Sequence, residues 1–422
     1  MKRSQGSLFT ILAMAALVAT VDAANGADTK PDAKADAARI AEVMKLLHDS
    51  PLIDGHNDIP WEFRKFSNNI DQINFAADTS KGKPKLVTDI PRLRAGGVGG
   101  QFWSVYIPTS FTNGEGVKAV LEQIDIAHRL IKGYPKDLEL ALTAGDIERI
   151  HRQGKIASLI GMEGGHSIGN SLAALRMTYA LGARYMTLTH TKNVDWADAA
   201  TDTPQHHGLT AFGEEVVHEM NRIGMLVDLS HVSDETMRHV LRVTKAPVIF
   251  SHSSARGVCN HPRNVPDDIL KLVAQNGGVV MVNFVPGYLT ETTRKYWDIM
   301  DVEESRLKKL YPNDEAKVDA GVEEWKKTNH PKHVTLSDVA DHIDHIRKVV
   351  GADYIGIGAD YEGFSHPPDG LEDVSKYPNL LAELLRRGYS KDEIKKIAGQ
   401  NVLRVMHQAE KVSAAMQKTV QK

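Results

Sequence analysis

The chain has 422 residues, 42% of them hydrophobic, and its 51 basic and 54 acidic side chains leave a formal net charge of −3. This is the composition of a globular protein with ample apolar surface for a core, and it gives no reason to expect binding to nucleic acid or to a membrane surface. Cys259 is the only cysteine, which excludes an internal disulfide and leaves stability to core packing and any bound metal; the thiol is expected to be buried and inert.

In chain order, Lys2 and Arg3 precede a mostly apolar run from Leu8 to Thr20, and Val21 and Ala23 supply the small residues of a cleavage site after Ala23. That is the layout of a secretory signal peptide over residues 1–23. The run is too short to span a membrane, and no cysteine follows it to carry a lipid. The mature protein is therefore expected to be soluble and exported, periplasmic or secreted, without a membrane anchor. Residues 24–38, rich in Ala, Asp and Lys, read as a disordered leader. The body of the protein is expected over 39–412, followed by a polar tail over 413–422.

Eight apolar runs with strand character punctuate the body: Leu52–Asp58, Val98–Ile107, Ile156–Glu163, Tyr185–His190, Met225–His231, Pro247–His252, Gly278–Phe284 and Tyr354–Asp360. Several are almost wholly apolar, as strands covered on both faces of a parallel sheet are. Amphipathic segments lie between them. Val117, Val120, Leu121, Ile124, Ala127 and Leu130 form one helical stripe, and Phe212, Val216, Met220 and Ile223 form another that Gly224 closes. Ser233 with Asp234 and Glu235 suits a helix start; Pro266-Asp267-Asp268 opens a further helix that Gly277 ends. The pattern predicts a (β/α)8 TIM-type barrel, with a doubly wound open sheet as the alternative. Residues 285–331 are too long for a simple loop and carry Trp297, Tyr311 and Trp325. They predict a helical insertion after strand 7, a candidate lid or homodimer contact. His342 and His345, beside Asp338, Asp341 and Asp344, read as an exposed helix face, and His206-His207 as a loop.

Six of the eight runs end in a His, Asp or Glu: His56 and Asp58, Glu163, His190, His231, His252 and Asp360. A barrel brings the ends of its strands to one mouth, so all seven side chains converge there. Four imidazoles and three carboxylates exceed what one tetrahedral ion needs, and a two-metal site fits better.

These stretches resemble the membrane (renal-type) dipeptidases, zinc hydrolases on a metal-dependent hydrolase barrel. The resemblance is carried by Asp54-Gly-His-Asn-Asp58, Gly161-Met-Glu-Gly-Gly165, Tyr185-Met-Thr-Leu-Thr-His190 with Trp196-Ala-Asp198, Asp228-Leu-Ser-His231, Ser251-His-Ser-Ser-Ala255, Arg263-Asn-Val-Pro-Asp-Asp268 and Ile357-Gly-Ala-Asp360. It runs from about residue 50 to 405. It implies two zinc ions, one bound by His56 and Asp58, the other by His231 and His252, with Glu163 bridging. It further implies that His190 contacts the scissile carbonyl, that Arg263 takes the terminal carboxylate of a small dipeptide, and that Asp360 shuttles the proton. Hydroxide bridging the metals would attack the peptide carbonyl, and the range of substrates would extend to L,D-dipeptides. A non-peptide amidase or lactonase on the same barrel is the nearest alternative, and a non-catalytic metal- or peptide-binding protein a more distant one. Two departures stand out. Animal members use disulfides and a lipid anchor, for which this chain lacks the cysteines and the signal, so a free, bacterial relative is expected. Tyr361-Glu362-Gly363 follows Asp360 where the family commonly has Phe-Asp-Gly, which bears on the fine positioning of Asp360.

Overall fold

The computed structural model describes residues 33–66 and 69–420. The expected signal peptide and the leader up to residue 32 lie outside the described residues. Nine strands occur among them: β1 Leu52–Asn57, β2 Val98–Ser104, β3 Leu138–Leu140, β4 Ile156–Glu163, β5 Ala183–Thr187, β6 Leu226–Asp228, β7 Ile249–Phe250, β8 Val279–Val282 and β9 Ile355–Ile357. Every pairing is parallel, and eight strands close a ring in the order β1-β2-β4-β5-β6-β7-β8-β9, with β9 returning to β1 through Asp54↔Ile357. The eight expected runs are these eight strands, and helices follow them around the outside, so the barrel is the architecture and the open sheet is not. The ninth strand, β3, was not expected. It pairs with Ile156–Ser158, the first part of β4, whose later residues pair with β5.

The strands are buried along their whole lengths because helices cover the outside and side chains fill the inside. Ile53, Phe102, Leu159, Tyr185, Leu226, Ile249 and Met281 belong to one cluster that gathers side chains from around the ring. The predicted helix ends hold. Gly224 and Gly277 cap their helices at φ 89° and 78°, and the Ser233 side chain accepts from the amide of Thr236.

Four expectations need correction or refinement. A helix over Ala33–Asp49 takes in the last six residues of the leader expected to be disordered, since Ala-rich sequence favours helix and its inner face finds a partner in the helix Tyr377–Arg386. The polar tail continues the helix Asn401–Val420, which Ser413 and Gln417 hold to the carbonyl of Arg222. His342 is not exposed; it is fully buried and bonded to the backbone at Ala255 and Leu289. His345 is partly covered, 2.7 Å from Asp267.

The insertion is helical, as expected: Pro286–Leu289, Glu291–Leu310 and Glu315–Lys326. Leu307 and Val318 are buried between its helices, while Ile299 and Val302 stay 59% and 71% exposed. Cys259 is buried, its thiol pushed up to about 12 by burial, as an inert cysteine should be. No helix among the described residues is long and apolar enough to cross a membrane.

Candidate metal centre

His56 lies inside β1 and Glu163 ends β4, but the other five converging residues lie one to three positions beyond their strands. Asp58 is therefore not on a strand face shared with His56, as simple alternation predicts. It stands at the N-cap position of the helix Ile59–Lys65, its side chain making no capping bond, in a non-extended conformation, φ −90° and ψ 18°. The bulged register between Asp54 and Asn57 turns His56 and Asp58 toward the mouth together. His231 and Asp360 reach it through left-handed backbone, φ 70° and 67°. Non-glycine residues seldom adopt that region, and it clusters at functional sites.

Glu163 divides the centre. One oxygen, Oε2, lies 3.5 Å from His56 Nε2, which is itself 3.5 Å from Asp58 Oδ2 and 4.0 Å from Asp360 Oδ1. The other, Oε1, lies 3.0 Å from His231 Nε2, 3.4 Å from His252 Nε2 and 3.6 Å from His190 Nε2. The two imidazole nitrogens of His231 and His252 face each other at 2.9 Å. All seven expected residues are thus together, and the groups His56–Glu163–His252, Glu163–His190–His231 and His56–Asp58–Asp360 each present their donor atoms within 4.8 Å of one another.

The donors fit a metal. His56 Nε2 and Asp58 Oδ1 are buried with no hydrogen-bond partner, and buried polar atoms are rarely left so. His56 Nε2 stands 3.5 Å from both Asp58 Oδ2 and Glu163 Oε2, close to the roughly 3.3 Å between ligands of a tetrahedral ion. Burial, with the nearby Arg263 guanidinium and neighbouring imidazoles, holds His231 and His252 well below the ordinary histidine range, so both are neutral, as ligands must be. Burial pushes His56 down too, but Tyr185 and the carboxylates of Glu163 and Asp58 outweigh it and raise it well above that range. Burial opposes the charge on Glu163, yet the surrounding histidines keep its carboxyl well below the usual range. Asp360 goes the other way: burial, then Asp58 and Glu163, raise it well above.

His190 is the most open of the four histidines, its side chain 16% exposed and its pKa lowered by burial. Its ring lies 5.1 Å from that of Tyr106, which packs edge-on against Trp61. Arg263 is buried, with long bonds to Ser253 Oγ (3.3 Å) and the carbonyl of His252 (3.2 Å), and its Nε has no partner. The ring of Tyr288, from the insertion, lies over its guanidinium at 5.5 Å. Among the described residues no carboxylate stands within ion-pair distance of it. The Asp360 amide donates to the carbonyl of His56, and Glu362 accepts from the amide of Val87 at 2.9 Å.

Behind the centre, Tyr185, Gly161 and Gly363 support residues that the sequence pattern alone does not connect to them. Tyr185 Oη donates to the carbonyl of Gly55 at 3.1 Å and lies 2.8 Å from His56 Nδ1, which holds the ring with Nε2 toward Glu163. Gly161 makes room for that ring, since a Cβ there would lie 2.0 Å from Tyr185 Cζ. Gly363 does the same for the carboxylates: its Cβ would fall 2.5 Å from both Asp360 Oδ1 and Asp58 Oδ2.

The family model described as membrane dipeptidase (peptidase family M19) matches residues 40–420. Two proteins described as Dipeptidase 3, from Rattus norvegicus and Mus musculus, are 44% and 43% identical to this chain over 377 residues, covering 88% of it and 67% of each relative. Among solved structures, the probable dipeptidase PvdM from Pseudomonas aeruginosa superposes with a TM-score of 0.75 at 24% identity, over 89% of this chain and 99% of that one. A metallopeptidase from Rhodobacter sphaeroides, liganded with a phosphinate mimic of the dipeptide L-Ala-D-Ala, gives 0.69 at 22% identity over 85% and 99%. At these identities the structural likeness speaks for the fold alone.

Proposed function

The chain belongs to the membrane dipeptidase family, peptidase family M19, and from that premise we propose that it is an exported binuclear zinc dipeptidase whose substrates include L,D-dipeptides. Membership makes it a metallo-dipeptidase; the number and identity of the ions, the D-residue tolerance and the export are our reading. One observation carries the two-ion reading. The two oxygens of Glu163 stand near different donors, Oε2 near His56 and Oε1 near His231 and His252, as a bridging carboxylate requires. His56 and Asp58 would hold one zinc, His231 and His252 the other.

When bound, two such ions supply an activated water near neutral pH and positive charge where an oxyanion develops. The chain's own residues do the rest. Arg263, a buried planar fork with no carboxylate partner among the described residues, takes the free C-terminal carboxylate of the dipeptide. Neutral His190, at the open side of the centre, donates to the carbonyl oxygen as charge builds there. Water adds to the carbonyl carbon, the C–N bond breaks, and Asp360 carries the water's proton to the departing nitrogen. Its raised pKa lets it hold that proton between the two events. The L,D extension draws on the Rhodobacter sphaeroides metallopeptidase, whose ligand mimics L-Ala-D-Ala.

The test is hydrolysis of L,L- and L,D-dipeptides by the mature protein, before and after zinc removal and restoration. Zinc-dependent cleavage that disappears when either terminus is blocked is expected. Turnover of blocked amides or lactones with refusal of free dipeptides would replace the peptidase reading. Refusal of every L,D-dipeptide would remove only that extension. N-terminal sequencing of the protein recovered outside the cytoplasm tests export, with Ala24 as the expected first residue.

A further inference from the structure

The carboxylate of Asp228, at the end of β6, is fully buried and accepts four hydrogen bonds drawn from β5 and from the ends of β6 and β7. Thr187 Oγ1 and Ser251 Oγ reach Oδ2 at 2.5 Å each, and the amides of Ser230 and Ser251 reach Oδ1 at 3.0 and 2.8 Å. Ser251 Oγ also lies 2.8 Å from His252 Nδ1.

A serine hydroxyl has one proton. An acceptor-only carboxylate at 2.5 Å takes it, so toward His252 the Ser251 oxygen can only accept. The proton of the neutral imidazole is then fixed on Nδ1. Its Nε2, 3.4 Å from Glu163 Oε1 and 2.9 Å from His231 Nε2, keeps a bare lone pair. We propose that Asp228 is a positioning residue that sets the tautomer of His252 through Ser251, and so makes His252 Nε2 an electron-pair donor toward the centre. Its consequence for metal binding rests on the two-ion reading above; the tautomer itself does not.

The arrangement predicts an outcome that packing alone would not. In Asp228→Asn the backbone amides of Ser230 and Ser251 are fixed donors, so the amide oxygen must occupy the Oδ1 place. The NH2 group then faces Ser251 Oγ. That hydroxyl becomes an acceptor there and turns its own proton onto His252 Nδ1, which moves the imidazole proton to Nε2. The side chain keeps its shape while the donor nitrogen is blocked. Adding Ser251→Ala removes the hydroxyl that imposes the wrong tautomer, so the double variant should recover part of what the single one lost.

The experiment is 15N NMR of the histidine ring nitrogens in metal-free protein, assigned with a His252→Gln control, together with zinc titration against a competing chelator and thermal melts of each variant. Wild type should show Nδ1–H on His252 and Asp228→Asn should show Nε2–H. Asp228→Asn should bind zinc at the His231–His252 side on the order of 10- to 100-fold more weakly, and Asp228→Asn/Ser251→Ala should regain part of that loss. Nε2–H on His252 in the wild type, or a double variant that binds no better than Asp228→Asn, would overturn the proposal. The wild-type spectrum decides even if a variant fails to fold. A wild type that shows Nδ1–H but takes up only one ion would refute the two-ion reading while supporting the tautomer assignment.

Discussion

His342 offers a quantitative test of how this barrel is held around its centre. It lies on the helix Leu336–Val350, fully buried, with its imidazole clamped between two backbone groups. The amide of Ala255, just past the His252 turn, lies 3.0 Å from Nδ1 and donates to it, and Nε2–H donates to the carbonyl of Leu289 in the insertion at 2.9 Å. Only the neutral ring can do both, because a proton on Nδ1 would meet the Ala255 N–H. Burial holds its pKa at about 4 against the ordinary 6.5. The unfolded chain therefore takes up a proton as pH falls through 6.5, and the native chain does not until about 4. Stability present above that window is lost on acidification within it, by about 2 kcal/mol at pH 5 and about 3 kcal/mol when complete. Urea unfolding with chelator present, so that metal release does not contribute, should show wild type losing about 2 kcal/mol more than His342→Gln between neutral pH and pH 5. His261, also depressed to about 4, titrates in both proteins and cancels from the difference. Equal pH dependence in the two proteins would refute the clamp.

The remaining predictions address the centre. Glu163→Gln keeps the side chain's size but removes the charge between the two donor groups; metal analysis after dialysis should show fewer ions per chain, and retention of the wild-type content with unchanged turnover would contradict the bridging role. Asp360→Asn should keep its metal and lose about 10²- to 10⁴-fold in kcat, so metal-replete protein with near-normal turnover would exclude Asp360 as the proton carrier. Arg263→Met should cost tens- to a hundredfold in kcat/KM, on the order of 2–3 kcal/mol for a lost charge-assisted contact. It should also erase the preference for a free dipeptide over its C-terminal amide, and a preserved preference would place the carboxylate elsewhere. Gly363→Ala, whose Cβ would crowd Asp58 and Asp360 at 2.5 Å, should lower turnover with little change in the melting temperature of metal-free protein; full activity would mean that both carboxylates have room to move.

The barrel was legible because strands buried on both faces must be apolar along their length, and eight such runs stood out against amphipathic helices. β3 was not, since Leu138–Leu140 is three residues with a single alternation. The converging residues were legible as polar ends of apolar runs, although most of them sit in the turn beyond the strand. Asp58 shows the limit of strand alternation: it faces His56 because a register shift and a helix start put it there, not because of a two-residue period. The aspartates at 338, 341 and 344 make the helix around His342 look exposed in sequence, but they lie off its buried side. The stripe Val339–His342–Ile343–Ile346 is the buried one. The supporting residues could not be paired from sequence at all, as Tyr185 and His56 are 129 positions apart and meet only when the ring closes.

The left-handed backbone at His231 and Asp360 bears on any attempt to engineer this protein for robustness. Each conformation is one that glycine adopts freely and that costs another residue about 1–2 kcal/mol. A stabilisation campaign guided by backbone preference would therefore flag these two sites early and recommend glycine. Accepting that advice would relax the backbone but delete an imidazole and a carboxyl from the mouth of the barrel. Thermostable variants should instead be sought on the far side of the ring, with both positions locked against change.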